Sequence, residues 1–390
     1  MRKVTETMTR KLSRRDFLKI SALGLSALAF HPYRWPDLET LARPKRLPQF
    51  PNSPIIGRVV DNGIDLRSRP TNDPALNTSI RKLQADTLVV WEREVVGNVI
   101  GGLVNQKYVQ TPEGYIYGSM VQPTRNIPNL PITEIPSGQN GFWAEVTVPY
   151  VDLAHEGNIV SPWLLDHIAY NFPPRLYYGQ VVWIDRIRTT NGFVEYRWNE
   201  DANGRGYGYG AYGEFYWADA AAFRVLTEED VSMISPDIDP NEKTIAINLD
   251  FQTLSCYEAG REVFFCRIAS GRVFDPVTGE VSDKYATPTG TLLTHWKIIS
   301  KNMTAGNESS GYSTPAVPWC TYIQGGVAIH GAHWHNAFGE PRSHGCVNVK
   351  PEDAKWIFRW TTPYVSLIAG EERRNLPEHG TVVKSTQRVF

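Results

Sequence analysis

The sequence has few cysteines, almost no net charge and no apolar segment long enough to span a bilayer. Only four of its 390 residues are cysteine, too few for a disulfide scaffold, so each thiol must be explained singly. Lys and Arg number 40 against 41 Asp and Glu, a net charge of −1. This balance excludes nucleic acid as the main partner, because phosphate binding needs a basic face. The 31 Gly, 27 Pro and 12% aromatic residues are typical of a turn-rich β protein and exclude a disordered chain.

The first thirty residues have the pattern of an export signal. Residues 13–19 read SRRDFLK, and residues 20–30 form an apolar run of about 11 residues. That run is well below the roughly 20 residues that span a bilayer. Paired arginines before a short apolar stretch resemble a twin-arginine signal; a basic amphipathic helix is the alternative. The resemblance implies export to the cell wall or cell surface, with membrane contact only through an uncleaved signal.

The middle of the chain alternates short apolar runs with turn residues, which predicts small antiparallel barrels. Residues 64–70 (IDLRSRP) and 114–117 (GYIY) resemble the first and last strands of a bacterial Src-homology-3-like domain. Such domains hold cell-wall peptides or act as spacers; a barrel that only packs against its neighbour is the alternative. The predicted hairpin turns are Asn62-Gly63, Gly97-Asn98, Glu113-Gly114 and Asn191-Gly192.

The part of the sequence that most specifically indicates a chemistry is residues 327–348 (VAIHGAHWHNAFGEPRSHGCVN). Four of the nine histidines lie here, at positions 330, 333, 335 and 344, and Cys346 follows. A zinc site is one interpretation, since His and Cys are zinc ligands, although no C-x-x-C pair is present. An inert, buried thiol is the second, although Cys346 follows a glycine in a polar loop. A cysteine nucleophile activated by histidine is the third.

The nucleophile hypothesis gives several residues a task. A nearby imidazolium or helix N-terminus lowers the pKa of a reactive thiol, and a helix is predicted to begin at Pro351. His330, at the end of a predicted strand, would be the base, and the Gly331 carbonyl would fix its tautomer. Gly345 would let backbone N–H groups approach a developing oxyanion.

Residues 243–369 resemble an L,D-transpeptidase catalytic domain of the YkuD type. The motif is His330, a spacer of twelve residues, and SHGCVN at residues 343–348. The resemblance implies that Cys346 forms a thioester with a peptidoglycan stem tetrapeptide, releasing D-Ala, and passes the acyl group to an acceptor amine. His330 would be the general base in both halves. An L,D-carboxypeptidase, with water as acceptor, and a non-catalytic wall-binding protein are the alternatives.

The same resemblance implies the remaining site residues, but no metal and no cofactor. Backbone N–H groups of His344, Gly345 and Cys346 would hold the oxyanion, and His344 would shape the pocket. Ser343 and Gly331 complete the implied catalytic set. The expected substrate contacts are Trp319, Tyr322, Trp334 and Asn348. Asn348 also lies where the family has a polar residue that supports the loop, and packing is the alternative for Trp319, Trp334 and Asn348.

The predicted protein is mainly β, with two small Src-homology-3-like barrels before a β-rich catalytic domain with few helices. The predicted segments are an export signal at 1–30, a linker at 31–55, the first barrel at 56–125, a linker at 126–141, a second small β domain at 142–236, the catalytic domain at 237–370 and a C-terminal tail at 371–390. Residues 243–254 are predicted to form one half-buried strand. After export, Cys256, Cys266 and Cys320 could form disulfides, whereas Cys346 is predicted to stay free.

Overall fold

The protein is mainly β-structure, as the sequence predicts. The computed structural model describes residues 45–99, 105–157, 159, 161–200, 214–273, 280–305, 312–374 and 380–388. The predicted export signal at 1–30 lies outside these residues. The α-helices among them are α1 (Pro162–Ala169) and α2 (Pro351–Trp360), and none of the helices in this part of the chain has the length and apolar character to cross a bilayer.

Residues 56–124, the first unit, form two sheets around a small core. The strands are β1 (Ile56–Val59), β2 (Ile64–Arg67), β3 (Ser79–Leu83), β4 (Leu88–Val90), β5 (Arg93–Val96), β6 (Lys107–Thr111), β7 (Gly114–Tyr117) and β8 (Val121–Thr124). The strand orders are β4-β1-β8 and β3-β2-β7-β6-β5. Leu66, Val109 and Ile116 are buried in one cluster. This arrangement is consistent with a small barrel; its Src-homology-3-like character stays a prediction.

Residues 142–225, the second unit, are built on a six-stranded antiparallel sheet. The strands are β9 (Phe142–Val146), β10 (Tyr150–Asp152), β11 (Ala154–Glu156), β12 (Arg175–Tyr177), β13 (Val181–Thr190), β14 (Phe193–Asn199), β15 (Phe215–Asp219) and β16 (Phe223–Val225). The sheet order is β11-β15-β14-β13-β9-β16, and β10 pairs with β12. Helix α1 begins at Pro162, whose fixed φ suits the first helical position, and buries Trp163 and Leu164.

The predicted hairpin turns divide into two that are confirmed and two that are wrong. The hairpin predicted at Glu113-Gly114 joins β6 to β7 one residue earlier, through Pro112 and Glu113, because Gly114 pairs with Thr111. Asn191-Gly192 joins β13 to β14. Both residues of the second turn have positive φ, 52° and 75°, as a two-residue hairpin requires. Asn62-Gly63 instead connects β1 and β2, which belong to different sheets. Gly97-Asn98 opens the longer connection from β5 to β6.

The predicted linkers at 31–55 and 126–141 pack against the second unit where the structure describes them. Phe50 is only 8% exposed within the apolar cluster of that unit. The backbone N–H of Ile132 donates to the Tyr196 hydroxyl at 2.8 Å. These segments therefore join the units through packed contacts.

Residues 243–386, the third unit, contain two five-stranded sheets. The strands are β17 (Lys243–Asn248), β18 (Thr253–Glu258), β19 (Arg261–Arg267), β20 (Gly290–Leu293), β21 (Trp296–Ala305), β22 (Tyr312–Gln324), β23 (Val327–Gly331), β24 (Val347–Val349), β25 (Glu371–Arg373) and β26 (Val382–Thr386). The orders are β19-β18-β17-β26-β20 and β24-β23-β22-β21-β25. Ile245, Leu254, Ile329 and Phe358 of α2 share one buried cluster.

The single strand predicted for 243–254 is wrong, because the chain turns within it. The Asn248 side chain accepts hydrogen bonds from the N–H groups of Asp250 and Phe251, both at 3.1 Å. Gln252 then has a left-handed φ of 52°. An Asn side chain bonded to the backbone two residues later favours a turn, so β17 and β18 form a hairpin.

The predicted C-terminal tail at 371–390 is also wrong as a separate segment. β25 pairs with β21, and β26 lies between β17 and β20, parallel to β17. Val383 is completely buried in the main cluster of the third unit. The last described strand is therefore an interior strand of the third unit.

Candidate active site

The pairing of β23 with β24 separates a core face from a site face. Ile329 lies opposite Val347 in the parallel ladder, and both belong to the apolar core. Side chains alternate along a strand, so Ala328 and His330 point to the other face. Cys346 immediately precedes β24 and packs in the same cluster as Ala328. The two strands thus bring Cys346 and His330, the predicted nucleophile and base, to one face of the sheet.

Cys346 is partly exposed and held by backbone groups of the β22–β23 connection. The Ala328 N–H donates to Sγ at 3.5 Å, and the thiol donates to the Gly326 carbonyl at 3.8 Å. Burial raises the pKa of the Cys346 thiol above its usual value, and the Ala328 N–H only partly opposes this. The expected lowering of the thiol pKa is therefore wrong, and the Cys346 thiol is neutral at neutral pH.

His330 is buried and neutral. Burial lowers the pKa of its imidazole to about 4. Nδ1 lies 3.2 Å from the Gly331 carbonyl, which can only accept, so Nδ1 carries the proton and Nε2 keeps its lone pair. The contact expected between Gly331 and the His330 ring is thus present. A neutral imidazole on the same face of the sheet as a neutral thiol is suited to general-base catalysis and not to a preformed ion pair.

Ser343 and Gly345 shape the turn that carries Cys346. The Ser343 hydroxyl donates to the Cys346 carbonyl at 2.5 Å and accepts from the Gly345 N–H at 3.1 Å. Gly345 has φ of +118°, which side chains with a Cβ rarely adopt. Because its N–H is used inside the turn, the expected place of Gly345 N–H in an oxyanion hole is wrong. His344 and Cys346 remain as the predicted donors.

Thr287 supports this turn from beneath, a role that was not predicted. Its hydroxyl donates to the Gly345 carbonyl at 2.8 Å and accepts from the Gly271 N–H, also at 2.8 Å. Thr287 is 3% exposed, so both contacts are shielded from water. The TPTG sequence at 287–290 indicated a turn, but nothing in it pointed to this contact across 58 residues.

His344 lies at the rim of the site with its side chain exposed. Its ring meets Tyr285 edge to face at 4.5 Å. Partial burial lowers the pKa of His344, and the positive charges of Arg272 and Lys284 add to this effect. His344 is therefore neutral at neutral pH and flanked by cationic groups.

The four expected substrate contacts lie in different surroundings. Trp334 is partly exposed, with its ring centroid 5.8 Å from that of His330. Tyr322 is 5% exposed and stacks on Trp296 at 4.2 Å, in the cluster that includes Cys346. Trp334 is thus the aromatic residue placed to contact a ligand, and Tyr322 lies below it.

Trp319 and Asn348 are inside the protein, and their expected substrate contacts are wrong. Trp319 has no exposed surface and packs against Phe358 of α2 at 5.3 Å. It precedes a residue of the site face, so alternation turns its side chain into the core. Asn348 is 1% exposed, and its amide lies 2.9 Å from His335 Nε2. It holds the loop that precedes Cys346, the support expected of a polar residue at this position.

The zinc interpretation and the disulfides can be compared with the described residues. Within these ranges no group of three or more His, Cys, Asp or Glu side chains is arranged to hold a metal ion. Cys256, Cys266, Cys320 and Cys346 are all free. Cys256 and Cys266 lie on β18 and β19 without facing each other, since Cys256 is opposite Phe264.

The geometry of the third unit can now be compared with known proteins. The family model of the L,D-transpeptidase catalytic domain, YkuD, matches residues 242–384. The match covers less than half of the chain but includes both His330 and Cys346. The predicted transpeptidase resemblance is thus supported for this domain, whereas neither the Src-homology-3-like units nor the export signal is tested by it.

Solved structures resemble parts of the same chain. The Ldtfm–avibactam carbamoyl enzyme is 24% identical over 38% of this chain and 50% of its own, with a TM-score of 0.29. An L,D-transpeptidase from Xylanimonas cellulosilytica is 23% identical over 37% of this chain and 61% of its own, with a TM-score of 0.25. An L,D-transpeptidase from Mycobacterium smegmatis is 17% identical over 52% of this chain and 98% of its own, with a TM-score of 0.29. The chain thus spans half to about three fifths of the first two structures. No curated protein sequence matches it.

Proposed function

We propose that this protein is an L,D-transpeptidase that cross-links peptidoglycan stem peptides through a thioester at Cys346. The observation that carries the proposal is that Cys346, directly before β24, and His330, on the adjacent β23, lie on one face of the sheet, with the His330 proton held on Nδ1 by Gly331. Arg272 and Lys284, near His344 at the rim, are suited to a donor peptide that bears carboxylates.

The proposed reaction has two halves. Cys346 Sγ attacks the carbonyl carbon of the donor peptide while its proton moves to His330 Nε2. The tetrahedral intermediate collapses, the bond to D-Ala breaks, and the leaving amine takes the proton from His330. An acceptor amine then attacks the thioester, again giving its proton to Nε2. The new amide forms, and the proton returns to the Cys346 thiolate.

Replacing the nucleophile tests this proposal. We expect a carbapenem to add covalently to the wild-type protein, because strained β-lactams acylate activated nucleophiles. Cys346→Ala should remove the mass adduct completely, since the other three thiols are buried. The matched control is Cys266→Ala, which deletes a buried thiol of the same unit and should keep the adduct. Intact-protein mass spectrometry measures both.

Incubation of the protein with tetrapeptide-bearing wall, followed by muropeptide analysis, distinguishes the transpeptidase from the alternative functions. New cross-links between two diaminopimelate residues support the transpeptidase, whereas loss of D-Ala without cross-links indicates a carboxypeptidase. A wall-binding protein would form no adduct and would bind sacculi equally well after Cys346→Ala. We also propose that the protein acts outside the cytoplasm, supported by the paired arginines at residues 14 and 15.

A further inference from the structure

The loop of residues 332–342, the bridging loop, connects the strand of His330 to the turn of Cys346. Trp334 in this loop lies beside the His330 ring at 5.8 Å and packs in the cluster that contains Cys346. The position of the bridging loop therefore sets one wall of the site. The contacts that hold the N-terminal half of this loop come largely from the other two units.

Arg58, in β1 of the first unit, contacts the bridging loop directly. It is 3% exposed, and every nitrogen of its guanidinium group is used. Nη2 donates to the His333 carbonyl at 2.6 Å. Nε and Nη2 donate to Gln122 Oε1 at 3.0 and 2.8 Å, and Nη1 donates to Asp86 at 2.9 Å. This planar fork has only one orientation that satisfies all its partners.

Tyr177, in β12 of the second unit, completes the attachment. The Arg58 guanidinium lies 4.0 Å from the centroid of the Tyr177 ring, a cation–π distance. The same ring stacks on His333 at 5.7 Å with an interplanar angle of 22°. The Tyr177 hydroxyl donates to Asp86 at 3.2 Å, and Arg175 donates to the same carboxylate at 2.8 Å. The first and second units thus both contribute to holding His333 in place.

A second set of contacts attaches the far part of the loop to the first unit. Asn336 donates from its backbone N–H to the Ser119 carbonyl at 3.1 Å and from Nδ2 to the Gly118 carbonyl at 3.0 Å. Glu340 accepts hydrogen bonds from the Asn105 N–H at 2.9 Å and from the Tyr117 hydroxyl at 3.2 Å. The loop is therefore fixed at three positions by residues that precede it by more than 200 positions.

A continuous series of rings connects this attachment to the proposed base. Tyr177 stacks on His333, His333 meets Trp334 edge to face at 5.0 Å, and Trp334 lies beside His330. We propose that Arg58 is a positioning residue of the active site: by holding His333 it places the Trp334 wall against which the donor peptide binds. The inference rests on the proposed function for its effect on catalysis, and on geometry alone for its effect on the loop.

Arg58→Gln tests the inference, because glutamine can contact Gln122 or His333 but cannot form the full fork. We expect amide hydrogen exchange in residues 332–338 to become at least tenfold faster, measured by mass spectrometry of peptides from the full chain. We expect kcat/KM for the donor peptide to fall about tenfold, mainly through KM. Alkylation of Cys346 by iodoacetamide should change less than twofold, because this small reagent does not use the Trp334 wall.

Arg81→Gln is the matched control. Arg81 also lies in the first unit, but it pairs with Glu113 at the surface and makes no contact with the loop. It should leave loop exchange, KM and alkylation unchanged. Equal losses in both variants, or unchanged loop exchange in Arg58→Gln, would overturn the inference.

Tyr117→Phe is a milder variant that keeps the folded core, since only a hydroxyl is removed. It deletes the contacts of the hydroxyl with Glu340 and with the Asn105 carbonyl, leaves the Asn105 N–H bonded to Glu340, and should speed exchange around residue 340 about threefold. Unchanged exchange there would show that the Tyr117 hydroxyl does not hold this part of the loop. A wild-type protein that transfers no acyl group, yet shows the exchange difference in Arg58→Gln, would overturn the proposed function while supporting the attachment.

Discussion

The turn of residues 343–348 and the bridging loop both form the site, but different parts of the molecule hold them. The turn is fixed within its own unit, by Thr287 and by paired backbone hydrogen bonds between Ala269 and Asn348 at 2.8 and 3.0 Å. The loop is fixed from the first and second units through Arg58 and Tyr177. The turn and the loop share the contact of Asn348 with His335 at 2.9 Å, but the contacts from Arg58 and Tyr177 reach only the loop. A substitution at Arg58 or Tyr177 can therefore disturb the proposed substrate wall without changing the turn of Cys346.

The largest effect should come from replacing His330, the proposed base. His330→Gln removes the acceptor for the thiol proton, and we expect acylation by a carbapenem to slow about 100- to 10,000-fold. His167→Gln is the control, because His167 lies on α1 of the second unit, where its ring contacts the Trp163 carbonyl at 3.0 Å, and it should retain the wild-type rate. Stopped-flow or mass-resolved time courses measure both. A loss below tenfold would contradict the assigned role of His330.

The pH dependence of Cys346 alkylation tests whether the thiol of the turn is neutral at rest. Because the pKa of the thiol is raised, the thiolate fraction is small at neutral pH and grows about tenfold per pH unit. Alkylation by iodoacetamide should therefore keep rising beyond pH 9. Cys346→Ala provides the background rate. A plateau between about pH 5 and 8 would instead indicate a preformed thiolate–imidazolium pair.

The loss of acylation at low pH should follow the protonation of His330. The pKa of His330 is lowered to about 4, so the ring is neutral and competent above that pH and becomes protonated below it. Carbapenem acylation should accordingly fall as pH drops through about 4. A decline centred near 6.5 would show that the ring is not buried as described.

The smallest effect should come from the support of the turn. Thr287→Val keeps the shape but leaves the Gly345 carbonyl and the Gly271 N–H without their partner. We expect a loss of about 1–3 kcal/mol in the free energy of unfolding and a roughly fivefold slower acylation, with KM for the donor unchanged. Thr287→Ser keeps the hydroxyl and should recover most of both. Equal behaviour of the two variants would show that the hydroxyl is not what supports the turn.

The sequence was informative where the chemistry is local. His330 and residues 343–348 lie within twenty positions of one another, so motif and spacing could predict their association. Trp319 was misassigned because its face depends on the register of β22, which no short motif reveals. The contact of Arg58 with His333 joins residues 275 positions apart, and Arg58 belongs to no recognisable pattern. This contact depends on how the units pack against each other, which the spacing of residues in the sequence does not reveal.

The central position of β26 has a consequence for the order of folding. β26 follows every other strand of its sheet in the chain, yet it lies between β17 and β20, with Thr244 paired to Val382. Contacts of such long sequence separation form slowly, and until they form β17 and β20 are unpaired edges that can join other chains. The third unit therefore cannot complete this sheet during synthesis of its first hundred residues. It closes only when β26 has emerged and inserted.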